Sequence, residues 1–120
     1  MGDFRKLKIW QEAKDIAVEI YKVTGTEVFK RDFGLTDQLR RSAVSISSNI
    51  AEGDERLSNK ESARFFYIST GSIAELITQL VIAYEVGYIT EKYYCDLVMK
   101  LENLSKQIKS IINYRLKNAQ

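Results

Sequence analysis

Residues 34–53 read GLTDQLRRSAVSISSNIAEG, and they combine a helical apolar stripe with many small polar residues. Leu39, Ala43, Ile46 and Ile50 recur at intervals of four, three and four, which places them on one face of a helix with about 3.6 residues per turn. The serines in this stretch are poor helix formers, because their hydroxyl groups compete for backbone partners. The stretch therefore predicts a helix that depends on tertiary packing for its stability.

The segments on either side of this stretch carry the same periodicity. Before it, Trp10, Ala13, Ala17 and Ile20 repeat at helical spacing, and Gly25 ends that helix as a glycine able to take a left-handed conformation. Asp3 is a candidate cap for the first helix and Thr36 for the second. Four predicted helices span about residues 4–24, 36–53, 59–86 and 91–117.

The third and fourth predicted helices have clear start signals. Ser58 and Glu61 are spaced as a capping box, while Gly87 and Thr90 mark a short turn between the two helices. Apolar residues occupy more than one stripe of the third helix, so we expect it to be buried on two sides. Leu101 belongs to the apolar stripe of the fourth helix, and we expect it to be a core residue.

Together these patterns predict an all-α fold, an antiparallel up-down-up-down four-helix bundle that forms a single domain over residues 1–120. Apolar residues make up 45% of the chain and charged residues 28%, which is usual for one globular domain. No uninterrupted apolar run approaches a membrane span, and no signal-peptide core follows the basic N-terminus. The sequence therefore predicts a cytoplasmic protein that does not bind membranes.

Missing residue types restrict the chemistry. The chain has no histidine and only one cysteine, so a histidine triad, a cysteine–histidine pair and the usual structural zinc site are excluded. The net charge of +2 argues against broad coating by nucleic acid and leaves local charge clusters as the signal for a partner. We expect a protein that is not an enzyme and has no cofactor or resident metal.

The best candidate basic patch follows from the bundle topology. Both chain ends and the loop between the second and third predicted helices lie at the same end of such a bundle. Basic residues from the two ends would then converge as a candidate nucleic-acid site, although solvated helix termini account for the same charges. The candidate residues are Arg5, Lys6, Lys8, Lys106, Lys109, Arg115 and Lys117.

A second group of polar residues lies on and beside the second predicted helix. In a purely structural role, Arg41 pairs with Asp37 one turn earlier, and Asn49 bonds Glu52 or caps backbone groups. Alternatively, the group lines a cleft or a subunit interface, with Ile82 as exposed apolar surface and small residues allowing close approach. The interface candidates are Arg40, Arg41, Asn49, Glu52, Glu75 and Ile82.

Two groups of carboxylates suggest weaker alternatives, a basic partner or cation for one group and a metal site for the other. Glu12, Asp15 and Glu19 share one face of the first helix, where they pair with neighbouring lysines or meet a basic partner or cation. Glu52 and Glu75 could supply oxygen ligands to a divalent metal, the one route to hydrolytic chemistry in a chain without histidine. A metal-dependent hydrolase therefore stands as the alternative function.

Several of these segments resemble a known family. The sequences LKIWQEAKDIAVEIY, FGLTDQLRRSAVSISSNIAEG and FYISTGSIAEL, in this order, are similar to the four-helix-bundle proteins called 23S rRNA-intervening sequence proteins, also labelled S23. The resemblance implies a homopentameric ring and, from a related accessory protein of diversity-generating retroelements, binding of RNA or DNA. The predicted function is accordingly that of a non-enzymatic homo-oligomer, a pentamer by the resemblance, that binds nucleic acid through a basic surface or acts as an assembly adaptor.

Overall fold

Four long helices pack side by side in a computed structural model that describes residues 3–119. After a 3₁₀ turn at Phe4–Lys6 come the helices α1 (Lys8–Val23), α2 (Glu27–Lys30), α3 (Phe33–Asp54), α4 (Asn59–Glu85) and α5 (Glu91–Lys117). The bundle measures 50 × 21 × 19 Å. α3 packs against α1 and α4, α4 packs against α3 and α5, and the contact between α1 and α5 is sparse. The predicted all-α four-helix bundle is confirmed.

The helix ends explain where the predicted boundaries needed correction. Asp32, not Thr36, caps α3 by accepting a hydrogen bond from the Leu35 amide (3.1 Å), so α3 begins three residues earlier than predicted. Thr36 instead donates its hydroxyl hydrogen to the Phe29 carbonyl of α2, a short helix inside a predicted loop. Gly25 does not take the expected left-handed conformation.

Asp3 caps only the 3₁₀ turn, by accepting a hydrogen bond from the Arg5 amide, so α1 begins at Lys8 and not at residue 4 as predicted. The terminal signals of α4 and α5 behave as predicted. Ser58 accepts a hydrogen bond from the Glu61 amide and Thr90 accepts one from the Tyr93 amide, both at 3.1 Å. Gly87 has a φ of 85°, a left-handed conformation that costs glycine nothing, and it turns the chain from α4 into α5. These caps satisfy amide groups that a helix leaves free at its first turn.

The core follows the predicted apolar stripes. Ile46 and Leu101 are fully buried, as predicted, and the buried cluster draws residues from all four long helices. Gly53 lies inside the last turn of α3, and a Cβ there would stand only 2.7 Å from the Phe66 ring. Only glycine lets α3 and α4 approach this closely.

α4 is the most apolar of the four long helices. Among the described residues it is the one helix long and apolar enough, by composition, to match a membrane span, although serine, threonine and glycine interrupt its apolar run. The average composition of α4 therefore reaches that of a membrane span, although its longest uninterrupted apolar run does not. One helix of this kind is weak evidence for a membrane, since a core helix packed between two neighbours needs the same composition.

Candidate functional site

A groove of about 390 Å³ runs between α4 and α5 near the middle of the bundle. α4 supplies its apolar wall and α5 its polar wall, because each helix turns one face of residues spaced three and four apart toward the groove. The groove is lined by Thr70, Ile73, Ala74 and Ile77 from α4 and by Glu102, Ser105, Lys106 and Lys109 from α5.

The groove carries positive charge that the bundle does not neutralise. Among residues 3–119, no carboxylate lies within ion-pair distance of the Lys106 or Lys109 ammonium group. Glu102, one turn before Lys106, also forms no ion pair within that part of the chain. At the α4 wall, the Thr70 hydroxyl donates to the Tyr67 carbonyl at 2.7 Å. The two lysines are therefore available to an anionic partner.

The seven predicted basic residues do not form one patch. Gln107 of α5 donates to Glu12 of α1 (2.9 Å), which fixes the side of α5 that faces α1. Lys106 and Lys109 lie about 100° and 160° around the helix from Gln107, at about 100° per residue, and they face the α4 groove. Lys8 lies on α1, where it pairs with Glu12 at 3.7 Å. The predicted convergence was wrong because it considered only the ends of the helices and not their faces.

Two of the other predicted basic residues also have carboxylate partners within the protein. Arg5 forms an ion pair with Asp3 (3.0 Å), and this contact raises the pKa of the guanidinium and lowers the pKa of the carboxyl. Arg115 pairs with the buried carboxylate of Asp54 (3.2 Å), donates to Ser62, and lies over the Phe66 ring at 4.9 Å. Arg115 therefore ties the end of α5 to α3 and α4.

The remaining two, Lys6 and Lys117, are exposed near the chain ends. Neither forms an ion pair with any residue between 3 and 119. They add positive charge to the end of the bundle, away from the groove between α4 and α5.

The arginines of α3 have separate roles. Arg40 reaches back to the end of α1, donating to the Thr24 hydroxyl (2.8 Å) with its guanidinium 4.5 Å from the centre of the Tyr21 ring. Arg41 pairs with Asp37 at 3.0 Å on the exposed surface, as the structural alternative predicted. Arg40 therefore connects α3 to the end of α1, while Arg41 lies on the exposed outer surface of α3.

Asn49 belongs to a hydrogen-bonded seam between α3 and α4. It donates to the Ser45 carbonyl (2.9 Å) and Ser45 hydroxyl (3.0 Å), and the Ser45 hydroxyl in turn bonds Ser72 across the helices at 2.8 Å. Glu52 pairs with Arg56 instead of Asn49. The predicted hydrogen bond from Asn49 to Glu52 is therefore wrong. Asn49, Ser45 and Ser72 bond to one another within a single subunit, between α3 and α4.

Glu52 and Glu75 lie too far apart to share a metal ion. Ser45 and Ser72 fix the register of the seam, and Glu52 lies seven residues beyond Ser45. Glu75 lies three residues beyond Ser72 in the opposite direction, because α3 and α4 are antiparallel. At about 1.5 Å per residue, about 15 Å separate the backbone positions of the two glutamates along the bundle, whereas ligand oxygens must lie within about 2.6 Å of one metal ion. The alternative of a metal-dependent hydrolase at this pair is therefore wrong.

The outer face of α3 and α4 carries exposed apolar side chains. Ile68 is 41% exposed and Ile82 is 47% exposed, and both lie on the side of α4 that also carries Glu75. Ser48 and Arg41 occupy the neighbouring outer side of α3. We call these five residues the outer face of α3 and α4.

Sequence inspection had not singled out Glu102, Ser105 or Thr70 as part of a site. Their signal was present as the spacing of three and four that they share with Lys106 and with the apolar residues of α4. It could be found only once the relative rotation of α4 and α5 was known. Among the described residues, no cluster of three acidic or cysteine side chains has the geometry of a metal site.

Comparisons with known proteins agree with the fold. A protein of unknown function from the S23 ribosomal protein family of Bacteroides thetaiotaomicron has a similar crystal structure, with a TM-score of 0.79 and 25% sequence identity. That similarity covers 87% of this chain and 97% of the other. Comparison with curated proteins gives no match. Residues 5–110 match the family described as 23S rRNA-intervening sequence protein, and the chain therefore belongs to that family.

Proposed function

We propose that this protein acts by binding rather than by catalysis, and that it binds nucleic acid through the groove between α4 and α5. The observation that supports this proposal is the pair of unneutralised lysines, Lys106 and Lys109, beside an apolar recess. Phosphate groups are the anions that such lysines contact in nucleic-acid complexes. Arg5, Lys8 and Arg115 contribute less, because each already has a carboxylate partner.

The test is a titration of labelled RNA and DNA at rising salt concentrations. Replacing Lys106 and Lys109 together by glutamine should weaken binding and reduce the slope of log affinity against log salt by about 1.4–1.8, since each lost phosphate contact releases about one counterion fewer. The matched control replaces Lys22 and Lys60, two exposed lysines outside the groove, and should keep nearly the wild-type affinity and slope. Equal losses in both variants would show that binding follows total charge and would contradict a site in the groove.

The protein is further proposed to be a homo-oligomer, a pentamer if it assembles as the family resemblance implies, that joins its subunits through the outer face of α3 and α4. Exposed apolar side chains such as Ile68 and Ile82 support this face, because surplus apolar surface gains free energy from a partner. Ser42 and Ser45 do not contribute small surface there, since Ser42 is buried and Ser45 bonds Ser72. Ser48 remains small and exposed on this side of α3.

Light scattering on wild type, Ile82→Glu and Val18→Glu tests the assembly and the face together. Ile82 and Val18 are exposed to 47% and 45%, so the two substitutions make the same chemical change on different sides of the bundle. We expect an oligomeric wild type, a smaller Ile82→Glu species and an unchanged Val18→Glu species.

A monomeric wild type would contradict assembly. If Val18→Glu dissociated the oligomer and Ile82→Glu did not, the interface would be assigned to α1 instead. An oligomer that binds neither RNA nor DNA would favour the assembly adaptor over the nucleic-acid-binding role.

A further inference from the structure

We infer that the groove between α4 and α5 receives an unstacked base of single-stranded nucleic acid, while Lys106 and Lys109 hold the adjoining phosphates. This inference rests on the proposed nucleic-acid binding and adds the class of ligand: single strands in preference to duplexes. It follows from the shape of the groove, from the chemistry of its two walls and from an exposed tyrosine beside it.

The shape of the groove favours a base over a bare phosphate. A phosphate bound by lysines alone needs only a convex charged surface, whereas this surface has a recess of about 390 Å³. In a duplex the bases are stacked in pairs and show only their edges in the grooves, so no base face is free to enter a recess. A single strand can turn a base outward into a recess.

The two walls match the two kinds of surface that a base presents. Ile73, Ala74 and Ile77 form an apolar wall suited to the face of a base, and the wall from α5 is polar. Lys106 and Lys109 belong to the α5 wall and lie about one helical turn apart. They can therefore contact successive phosphates of a strand that runs along α5. A base packed on α4 would thus keep its own backbone on the α5 side.

The polar groups between these walls indicate a preference among bases. The Glu102 carboxylate only accepts hydrogen bonds. The Thr70 hydroxyl donates its hydrogen to the Tyr67 carbonyl, so towards the groove the Thr70 oxygen can only accept. Cytosine and adenine present exocyclic amino donors, whereas uracil presents carbonyl oxygens at the matching positions. We therefore expect cytosine or adenine to be bound more tightly than uracil.

Tyr67 extends the site beyond the recess. It is 53% exposed and precedes Thr70 and Ala74 by three and seven residues, which places it on the same face of α4. Aromatic side chains at the edge of a cationic groove are stacking platforms for bases in proteins that bind single strands. A second base can therefore stack beside the first.

The experiment measures fluorescence anisotropy with four labelled probes at one salt concentration. The probes are a short oligocytidine, an oligouridine of equal length, an abasic strand with the same backbone charge, and a duplex. Oligocytidine should bind about tenfold more tightly than the abasic strand, because one stacked base contributes a factor of about 5 to 150. The duplex, despite its denser phosphates, should bind less tightly than oligocytidine, because it offers no unstacked base.

Two variants examine the recess separately from the charge. Ala74→Trp fills the recess and should reduce oligocytidine binding most of the way to the level of the abasic strand, since only stacking on Tyr67 remains, with abasic and duplex binding unchanged. Ser110→Trp, at an exposed position of α5 outside the groove, is the matched control and should bind like wild type. Glu102→Gln keeps the shape of the wall and should narrow the difference between oligocytidine and oligouridine; it also replaces Ala74→Trp as the test if circular dichroism shows that variant unfolded.

The outcomes separate this inference from the proposed function. Failure of wild type to bind any of the four probes would overturn the nucleic-acid-binding proposal itself. Binding of the abasic strand and duplex as tightly as oligocytidine would keep nucleic-acid binding and overturn the base recess. An acidic amphipathic helical peptide that binds the groove when oligocytidine does not would assign the groove to a protein partner instead.

Discussion

The seam between α3 and α4 and the seam between α1 and α5 are built in opposite ways. Across the first, Ser69 donates its buried hydroxyl to the Ile46 carbonyl at 2.7 Å, and Gly53 lies directly against the Phe66 ring. Across the second, Lys100 reaches Glu19 at 3.3 Å, and a groove of about 300 Å³ remains open between the helices.

The difference comes from the size of the residues that face each other. Serine and glycine have short or absent side chains, so two helix backbones approach closely and each hydroxyl finds a partner on the next helix. Lysine and glutamate are long and keep their charged ends in water, so they hold α1 and α5 apart. Four helices of similar length and periodicity therefore need not form four equivalent seams.

The largest expected effect on stability comes from truncating a buried isoleucine to alanine, and the same change can be made in each of the two seams. Ile46→Ala should lower the free energy of unfolding by about 2–5 kcal/mol, as should Leu101→Ala, because each removes a fully buried side chain and leaves a closed cavity. Ile16→Ala should cost near the lower end of that range, since Ile16 borders the groove between α1 and α5. Denaturant unfolding measures the three values. Equal losses for Ile46→Ala and Ile16→Ala would show that the two seams are equally packed.

A glycine pair within α3 examines the close approach of α3 and α4. Gly53→Ala should destabilise the protein by about 1–3 kcal/mol, because the new Cβ would stand 2.7 Å from the Phe66 ring and 3.0 Å from the Ser62 carbonyl oxygen. Gly34→Ala, with 4.0 Å to the nearest atom, should leave stability unchanged or raise it by about 1 kcal/mol. Thermal unfolding distinguishes the two. A neutral Gly53→Ala would mean that Phe66 can move away without cost.

Polar contacts should also differ between the seams. Ser69→Ala removes a hydrogen bond at a fully buried position and should cost about 0.5–1.5 kcal/mol. Lys100→Gln removes an exposed ion pair and should cost about 0–1 kcal/mol, with even this small loss disappearing in high salt. Unfolding at low and high salt provides the measurement. A salt-dependent loss in Ser69→Ala would contradict the assignment of its cost to a buried neutral bond.

The smallest effect at neutral pH belongs to Tyr93. Its hydroxyl is buried without a hydrogen-bond partner among the described residues, and burial together with the negative charge of Glu19 raises its pKa. The folded protein therefore keeps its proton at a pH where the unfolded chain has lost it. Stability from this source is complete below the unfolded pKa of about 10 and falls as the pH rises above it.

Tyr93→Phe supplies the control for this pH dependence. It removes the titrating hydroxyl, so its stability should fall less steeply than that of wild type above about pH 10. Urea unfolding between neutral and alkaline pH measures both slopes. Parallel slopes would assign the alkaline loss to other groups.

The fold could be predicted because its signals are local. Spacings of three and four mark the buried faces, and capping residues such as Ser58 and Thr90 act on amides only three residues away. The start of α3 was missed because Asp32 and Thr36 are both good caps. The choice between them depended on α2, whose Phe29 carbonyl takes the Thr36 hydroxyl.

The site could be predicted only in part, because it depends on how each helix is rotated about its axis. The sequence identified Lys106 and Lys109 as candidates but grouped them with Lys8, which lies on the other side of α5. Rotation is set by side-chain packing between distant segments, and the spacing within one helix does not contain it. The separation of Glu52 from Glu75 has the same origin, since the register of two antiparallel helices fixes it.

The sparse contact between α1 and α5 has a consequence for the order in which the chain folds. Every well-packed pair of long helices consists of consecutive long helices, and α1 with α5 is the pair that would close the longest loop. Closing a long loop costs entropy before its contacts repay that cost, so a bundle with few such contacts has a low contact order and folds quickly. Folding can therefore proceed one hairpin at a time from nearest neighbours. α1 and α5 each have one well-packed neighbour among the long helices, whereas α3 and α4 each have two, so the amides of α1 and α5 should open to hydrogen exchange before those of α3 and α4 in the native state.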